Sequence, residues 1–145
     1  MQRCGVYFRK GMIYIETYSC GEFDLWIPAA ETIKMELCTP YAIGEKVIEA
    51  LDASLEYVPH PDLDEMEKLE KKLNKLMGVK SWTELEKTSN YTNLERRGSL
   101  IEIYPQRIGR GGGFEPDGTC ISCSSTDPEE IGRGVLKVLK VKECV

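Results

Sequence analysis

Thr39-Pro40-Tyr41-Ala42-Ile43-Gly44 returns 88 residues later as Asp127-Pro128-Glu129-Glu130-Ile131-Gly132. Each copy places a cap residue before a proline, then an isoleucine and a glycine. Thr or Asp at an N-cap accepts hydrogen bonds from orphan amides, and Pro at the first helical position forfeits no intrahelical bond. Glu130, three residues after Asp127, occupies a capping-box position and complements the positive helix end. Ile43, Val47, Ile48, Leu51 and Leu55 then share one helical face, as do Ile131, Val135, Leu136 and Leu139. Glycine inside a first turn lowers helix propensity, so its presence in both copies points to close backbone packing there.

The same offset extends upstream without a gap. It pairs Ile13 with Ile101, Ile15 with Ile103, Trp26 with Phe114, Pro28 with Pro116 and Ile33 with Ile121. Val6-Tyr7-Phe8, a turn at Arg9-Lys10-Gly11 and Met12 to Ile15 read as a hairpin; Tyr91 to Glu95, Gly98-Ser99 and Leu100 to Tyr104 read as another. Phe23, Leu25 and Ile27 alternate as a strand, as do Ile33, Met35 and Leu37, whose counterpart runs from Cys120 to Ser124. Between the copies, Pro59-His60-Pro61 interrupts the chain. A charged helix is expected from Asp62 to Met77, with Met66, Leu69, Leu73 and Leu76 as its apolar stripe and Gly78 as its stop. Ser81-Trp82-Thr83-Glu84 has capping-box spacing for a further short helix.

The expected fold class is α+β: an internal duplication of a hairpin–strand–helix unit, antiparallel sheet or sheets with helices packed on one side, plus the inserted charged helix. The expected organisation is a single domain over residues 1–145. Copy one spans about 4–55, the connecting segment about 59–88 and copy two about 91–141.

Apolar and charged fractions of 41% and 30% are those of a globular chain that can bury its own core. A net charge of −5 and a pI near 5.1 argue against a general nucleic-acid binder, which needs a basic surface, and suit a basic protein partner. Neither a secretory signal nor a membrane-length apolar run is legible, so a cytoplasmic protein is expected. Cys4, Cys20, Cys38, Cys120, Cys123 and Cys144 are then expected to be reduced thiols.

Recognisable catalytic chemistry is sparse. Cys120-Ile121-Ser122-Cys123 is the single CxxC; it lacks a second ligand pair, and in a strand residues three apart face opposite ways. Both cysteines are expected in the core. His60, the only histidine, lies in a proline-flanked loop with no nucleophile at readable spacing. Gly109-Arg110-Gly111-Gly112-Gly113-Phe114 lacks the strand-to-helix context and the Gly-Lys-Ser/Thr of a phosphate cradle, and reads as a hairpin loop or a partner-binding loop. The chain is expected to be no enzyme, with no catalytic residue, metal or cofactor.

Val79-Lys80-Ser81-Trp82, Ile101-Glu102-Ile103-Tyr104-Pro105, the Gly109–Phe114 run, Pro128 to Gly132 and the stretch from Ile43 to Leu51 occur together here. In these the chain resembles the bacterial contact-dependent growth inhibition immunity proteins over nearly its whole length. The first half departs by having Phe23-Asp24-Leu25 opposite the glycine run. The resemblance implies a small cytoplasmic protein that binds a toxin domain delivered by a neighbouring cell, often a nuclease, and blocks its active site. The expected partner is therefore a cognate toxin C-terminal domain, with neither nucleic acid nor membrane bound and the chain a monomer or weak homodimer. Contact residues do not carry over by motif. The features that distinguish the two copies nominate Asp62, Asp64, Glu65, Arg110, Phe114, Glu115 and Asp117 as partner-binding, with Tyr57, Tyr91 and Trp26 as further aromatic anchors. Two rival readings are a ligand-binding module built on the 109–113 loop and a thiol enzyme using Cys120 or Cys123.

Overall fold

A computed structural model describes residues 1–141, so Cys144 lies outside the described residues. Strands β1 (Gln2–Arg9) and β2 (Met12–Cys20) form the first hairpin, and β5 (Asn90–Arg97) and β6 (Leu100–Ile108) the second. Short strands β3 (Trp26–Pro28) and β4 (Ile33–Glu36) both pair with β2, while β7 (Phe114–Pro116) and β8 (Ile121–Ser124) both pair with β6. The result is one antiparallel sheet in the order β3-β2-β1-β5-β6-β7, with β4 and β8 continuing its two edges. Four α-helices accompany it among the described residues: α1 (Pro40–Asp52), α2 (Leu63–Met77), α3 (Trp82–Thr88) and α4 (Pro128–Val138).

The strands of the two halves begin and end 88 residues apart, and the central pairing respects that offset. Gly5 pairs with Asn93, Tyr7 with Tyr91 and Arg3 with Glu95, so exchanging the halves leaves the β1–β5 register unchanged. An approximate twofold axis therefore passes through the Gly5–Asn93 pair.

Alternation along the strands sends Val6, Ile13, Ile15, Leu94, Ile101 and Ile103 to one face, where all are fully buried. Their partners are Ile43, Val47 and Leu51 of α1 and Ile131, Val135 and Leu136 of α4. The caps are those expected: Thr39 accepts from the Ala42 amide and Asp127 from the Glu130 amide. The first-turn glycines do what close packing requires. A Cβ on Gly44 would lie 1.7 Å from the Pro128 carbonyl oxygen, and one on Gly132 would lie 1.8 Å from that of Pro40. The two helices thus meet backbone to backbone at their N-terminal turns.

The connecting segment takes the opposite face. Leu73 and Met77 of α2, with Val79 and Leu85, pack on Tyr7, Tyr14 and Tyr91. Asp62 caps α2 and Gly78 ends it in a left-handed conformation (φ 72°), while Ser81 caps α3. Buried Arg9 ties this end down: Nη1 donates to the Met77 carbonyl at 2.8 Å and Nε to Thr88 Oγ1 at 3.0 Å.

Three expectations change. Residues 22–24 form a 3₁₀ turn with Phe23 at positive φ and 89% exposed, so the strand after the first hairpin shrinks to Trp26–Pro28. Leu55 lies beyond α1 and is exposed rather than on its core face. Cys123 is in the core, but Cys120 precedes β8 and is exposed, because the strand starts one residue later than its pattern suggests.

Gly44→Ala or Gly132→Ala should force backbone apart and destabilise the protein by about 3 kcal/mol or more, lowering Tm by roughly 10 °C in thermal unfolding. Gly134→Ala is the comparison: its Cβ would meet a side-chain end, Ile103 Cδ1, rather than backbone, so a smaller loss of about 1–2 kcal/mol is expected.

Candidate functional site

Where α2 leaves the sheet, an open cleft of about 780 Å³ remains beneath it. Its C-terminal half is held by Leu73, Met77 and the Arg9 bonds, whereas Leu63, Met66 and Leu69 of the N-terminal half overhang the opening. Leu63 is 89% exposed. An apolar stripe covered along only half its length is what leaves the cleft open.

The floor belongs to the second face of the sheet, where Tyr7, Glu16, Tyr18, Tyr91, Asn93 and Gln106 point into the cleft. Phe114 and Trp82 form an aromatic wall. The Phe114 ring lies 4.8 Å from that of Tyr91 and 6.1 Å from that of Trp82, while Tyr7 and Tyr91 stand 4.3 Å apart. Gly5 makes this arrangement possible, because a Cβ there would lie 2.5 Å from the Tyr91 hydroxyl and 2.6 Å from that of Tyr18. Those hydroxyls are 2.6 Å apart, and Tyr91 donates to Asn93 Oδ1 at 2.7 Å.

Beside them sits Glu16, only 5% exposed. Burial pushes its carboxyl up to about 7, opposed by a hydrogen bond from the Tyr18 side chain. Burial likewise raises Tyr7, Tyr18 and Tyr91, so the three phenols stay neutral across the physiological range.

Of the nominated residues, Phe114 lines the cleft. The other six are exposed outside its lining: Asp62 as the α2 cap, Asp64 and Glu65 in the first turn, Arg110 at the loop tip, and Glu115 and Asp117 around β7. Glu115 pairs with Arg107 at 3.0 Å. The Thr119 hydroxyl and amide hold Asp117 below the usual carboxylate range. Tyr91 belongs to the floor, Trp26 lies under the Arg3 guanidinium at 4.6 Å, and Tyr57 is exposed elsewhere. Glu16, Tyr18, Asn93 and Trp82 were not nominated. For Glu16 and Tyr18 the signal was the continuation of β2 past Ile15, with Tyr14, Glu16 and Tyr18 alternating against the core face, whereas Asn93 on β5 and Trp82 at the start of α3 carried no such signal.

The glycine loop is closed on itself. The Gly109 amide donates to the Gly113 carbonyl and the Gly112 amide to that of Gly109, while the Gly113 amide donates to the carboxylate of buried Glu86 on α3 at 2.7 Å. A carboxylate already fills part of the space an anion would need. The thiols are held protonated: burial pushes Cys123 up to about 11, and burial together with Glu102 raises Cys120.

Glu16 has a clear linkage signature. Below about pH 4.5 it is protonated folded and unfolded, and its neutral form is fully accommodated. Between there and about pH 7 the unfolded chain ionises first, so stability is lost as pH rises through that window. Glu16→Gln should flatten this pH dependence and make the protein more stable than wild type at pH 8, by a few kcal/mol in urea unfolding.

Residues 2–141 match the sequence profile of the CDI immunity protein family. The fold is similar to that of a protein of unknown function from Neisseria meningitidis, with 19% identity, a TM-score of 0.77, and coverage of 97% of this chain and 95% of that one. It is also similar to a chain from a structure described as a CdiA-CT/CdiI toxin and immunity complex from Yersinia pseudotuberculosis, with 20% identity, a TM-score of 0.73 and coverage of 97% of each chain. No curated protein matches the sequence. No helix among the described residues is long and apolar enough to cross a membrane. With the profile match running nearly end to end, the chain belongs to the CDI immunity protein family.

Proposed function

We propose that the chain neutralises the toxin domain of a contact-dependent growth inhibition system by stoichiometric binding in the cytoplasm, as a monomer or weak homodimer. The toxin is a nuclease in this reading, and the bound chain covers its active site without catalysing a reaction. The observation that carries the reading is the family match over residues 2–141. The toxin–immunity complex described for the Yersinia pseudotuberculosis relative supports it.

Physical chemistry supports the finer parts. A nuclease that holds phosphates presents cationic groups, and a chain of net charge −5 is drawn to it by long-range attraction. Fast capture must be joined to slow release, which comes from aromatic anchors desolvated at the centre of a contact. The cleft offers Trp82 and Phe114 for that role. The exposed acidic residues Asp62, Asp64, Glu65, Glu115 and Asp117, together with Arg110, would then form the surrounding polar rim.

Co-expression with the toxin domain encoded beside it should restore growth and yield a stoichiometric complex on gel filtration. One equivalent of the chain should also stop the toxin's cleavage of RNA or DNA in vitro. A toxin that stays fully active, with no complex formed, would refute the proposal. Trp82→Ala should weaken the complex by roughly thirtyfold as read by surface plasmon resonance. Leu63→Ala, at a side chain that touches little in the free protein, should weaken it less while leaving Tm within about 2 °C of wild type.

A further inference from the structure

The cleft has an electrostatic character that its aromatic lining does not explain. Three carboxylates line it, Glu16 from the sheet and Glu67 and Glu70 from α2, and no lysine, arginine or histidine is among its lining residues. Glu16 is the unusual one. It is almost wholly buried, it has no ion-pair partner among the described residues, and its side-chain hydrogen bond comes from Tyr18.

Proton bookkeeping sharpens the point. Tyr18 and Tyr91 carry one hydroxyl proton each, and Tyr91 gives its own to Asn93. That leaves a single proton to serve Glu16 and the Tyr18–Tyr91 contact. An ionised carboxylate has room for about four hydrogen bonds, so the Glu16 oxygens remain underserved. An adjoining recess that shares Glu16 is lined by Lys34, Lys72 and Lys75, and Arg3, on the same sheet face opposite Tyr18, is taken by Glu95. Lys72 is engaged by Glu31 at 2.6 Å, and the Lys34 ammonium lies 5.8 Å above the Tyr14 ring. None of the three lysines pairs with Glu16.

We propose that the cleft is a seat for an arginine or lysine side chain of the bound toxin domain, which enters beneath the overhanging half of α2 and pairs with Glu16. The inference rests on the toxin-binding reading of the chain. It assigns the partner's chemistry: a cation at the tip of an otherwise apolar segment. The aromatic floor and walls suit the stem, and they suit a guanidinium better still, since it hydrates weakly and stacks on rings. Glu70 adds attraction from above, Glu67 less so because it already pairs with Lys71 at 3.1 Å, and the low-dielectric walls strengthen it.

Seating a cation makes the ionised form of Glu16 the favoured one. Binding should therefore release a proton near neutral pH, and affinity should fall as pH drops below about 7. Tyr7, Tyr18 and Tyr91 are pushed by burial away from this range, whereas burial brings Glu16 into it, so the charge change is assigned to Glu16.

The test is isothermal titration of the full chain with the toxin domain encoded beside it, at pH 6.5 in two buffers of different ionisation enthalpy. The wild type should release roughly half to one proton per complex. Glu16→Gln, with folding checked by thermal unfolding, should release none from this site and should bind about tenfold or more weakly. An alanine scan of the toxin's arginines and lysines should then find one residue whose loss is non-additive with the Glu16→Gln change. Tight wild-type binding with the same affinity and proton count in Glu16→Gln would overturn the inference while leaving the toxin-binding reading intact. Absence of wild-type binding would defeat that reading, and the inference with it. Spermidine serves as the free-cation probe: binding that depends on Glu16, with toxin affinity indifferent to it, would assign the seat to a small cation and overturn the proposal as well.

Discussion

The reciprocal contact of Gly44 with Pro128 and of Gly132 with Pro40 is the constraint on which the rest of the molecule depends. Two helices can approach this closely only where neither carries a side chain at the crossing. Because they do, α1 and α4 lie side by side over one face of the sheet and seal Val6, Ile15, Leu94 and Ile103 beneath them. The same axis that relates the helices passes through the Gly5–Asn93 pair in the central strands. A continuous sheet with both hairpins in fixed register follows, and the opposite face is left for the connecting segment.

The two faces treat the twofold relation differently. At the centre of the helix-covered face, equivalent positions hold equivalent residues: Val6 and Leu94, Ile13 and Ile101, Ile15 and Ile103, while Cys4 with Thr92 and Thr17 with Pro105 differ. On the other face the correspondence fails. Tyr14, Glu16 and Tyr18 stand opposite Glu102, Tyr104 and Gln106, and Gly5 stands opposite Asn93. A packed interior restricts what it accepts, because volume changes of a methylene are felt there. A face that keeps an open cleft has no such restriction. The departures from symmetry therefore collect around the cavity: Gly5 admits the tyrosine hydroxyls, Asn93 accepts from one of them, and Glu16 is left without a counter-ion.

Much of this frame was legible in the chain. Repeated caps, repeated first-turn glycines and alternation in the hairpins each act locally, through orphan amides, backbone approach and side-chain direction. Ser81 and Gly78 bounded α2 and α3 for the same reason. The strand expected from Phe23 failed because alternation over three apolar residues does not specify whether a partner edge is within reach; there the chain turns instead, with Phe23 and Asp24 at positive φ. The cleft was harder to read. Glu16 and Asn93 are ordinary residues in sequence, and their character comes from burial and from the company of tyrosines brought in by separate strands. Of the surface nominated from the glycine loop and the charged helix, Phe114 reaches the cleft lining directly, and α2 reaches it through Leu63, Met66 and Leu69 rather than through its acidic first turn.

The central claim is that the partner is received on the cleft face and not on the helix pair that builds the fold. Hydrogen–deuterium exchange of the chain, free and saturated with its toxin domain, tests this most directly. The account predicts added protection in the first half of α2, around Trp82 and along residues 104–114, with the outer surfaces of α1 and α4 unchanged. Protection confined to α1 and α4, with the cleft exchanging as in the free protein, would contradict it.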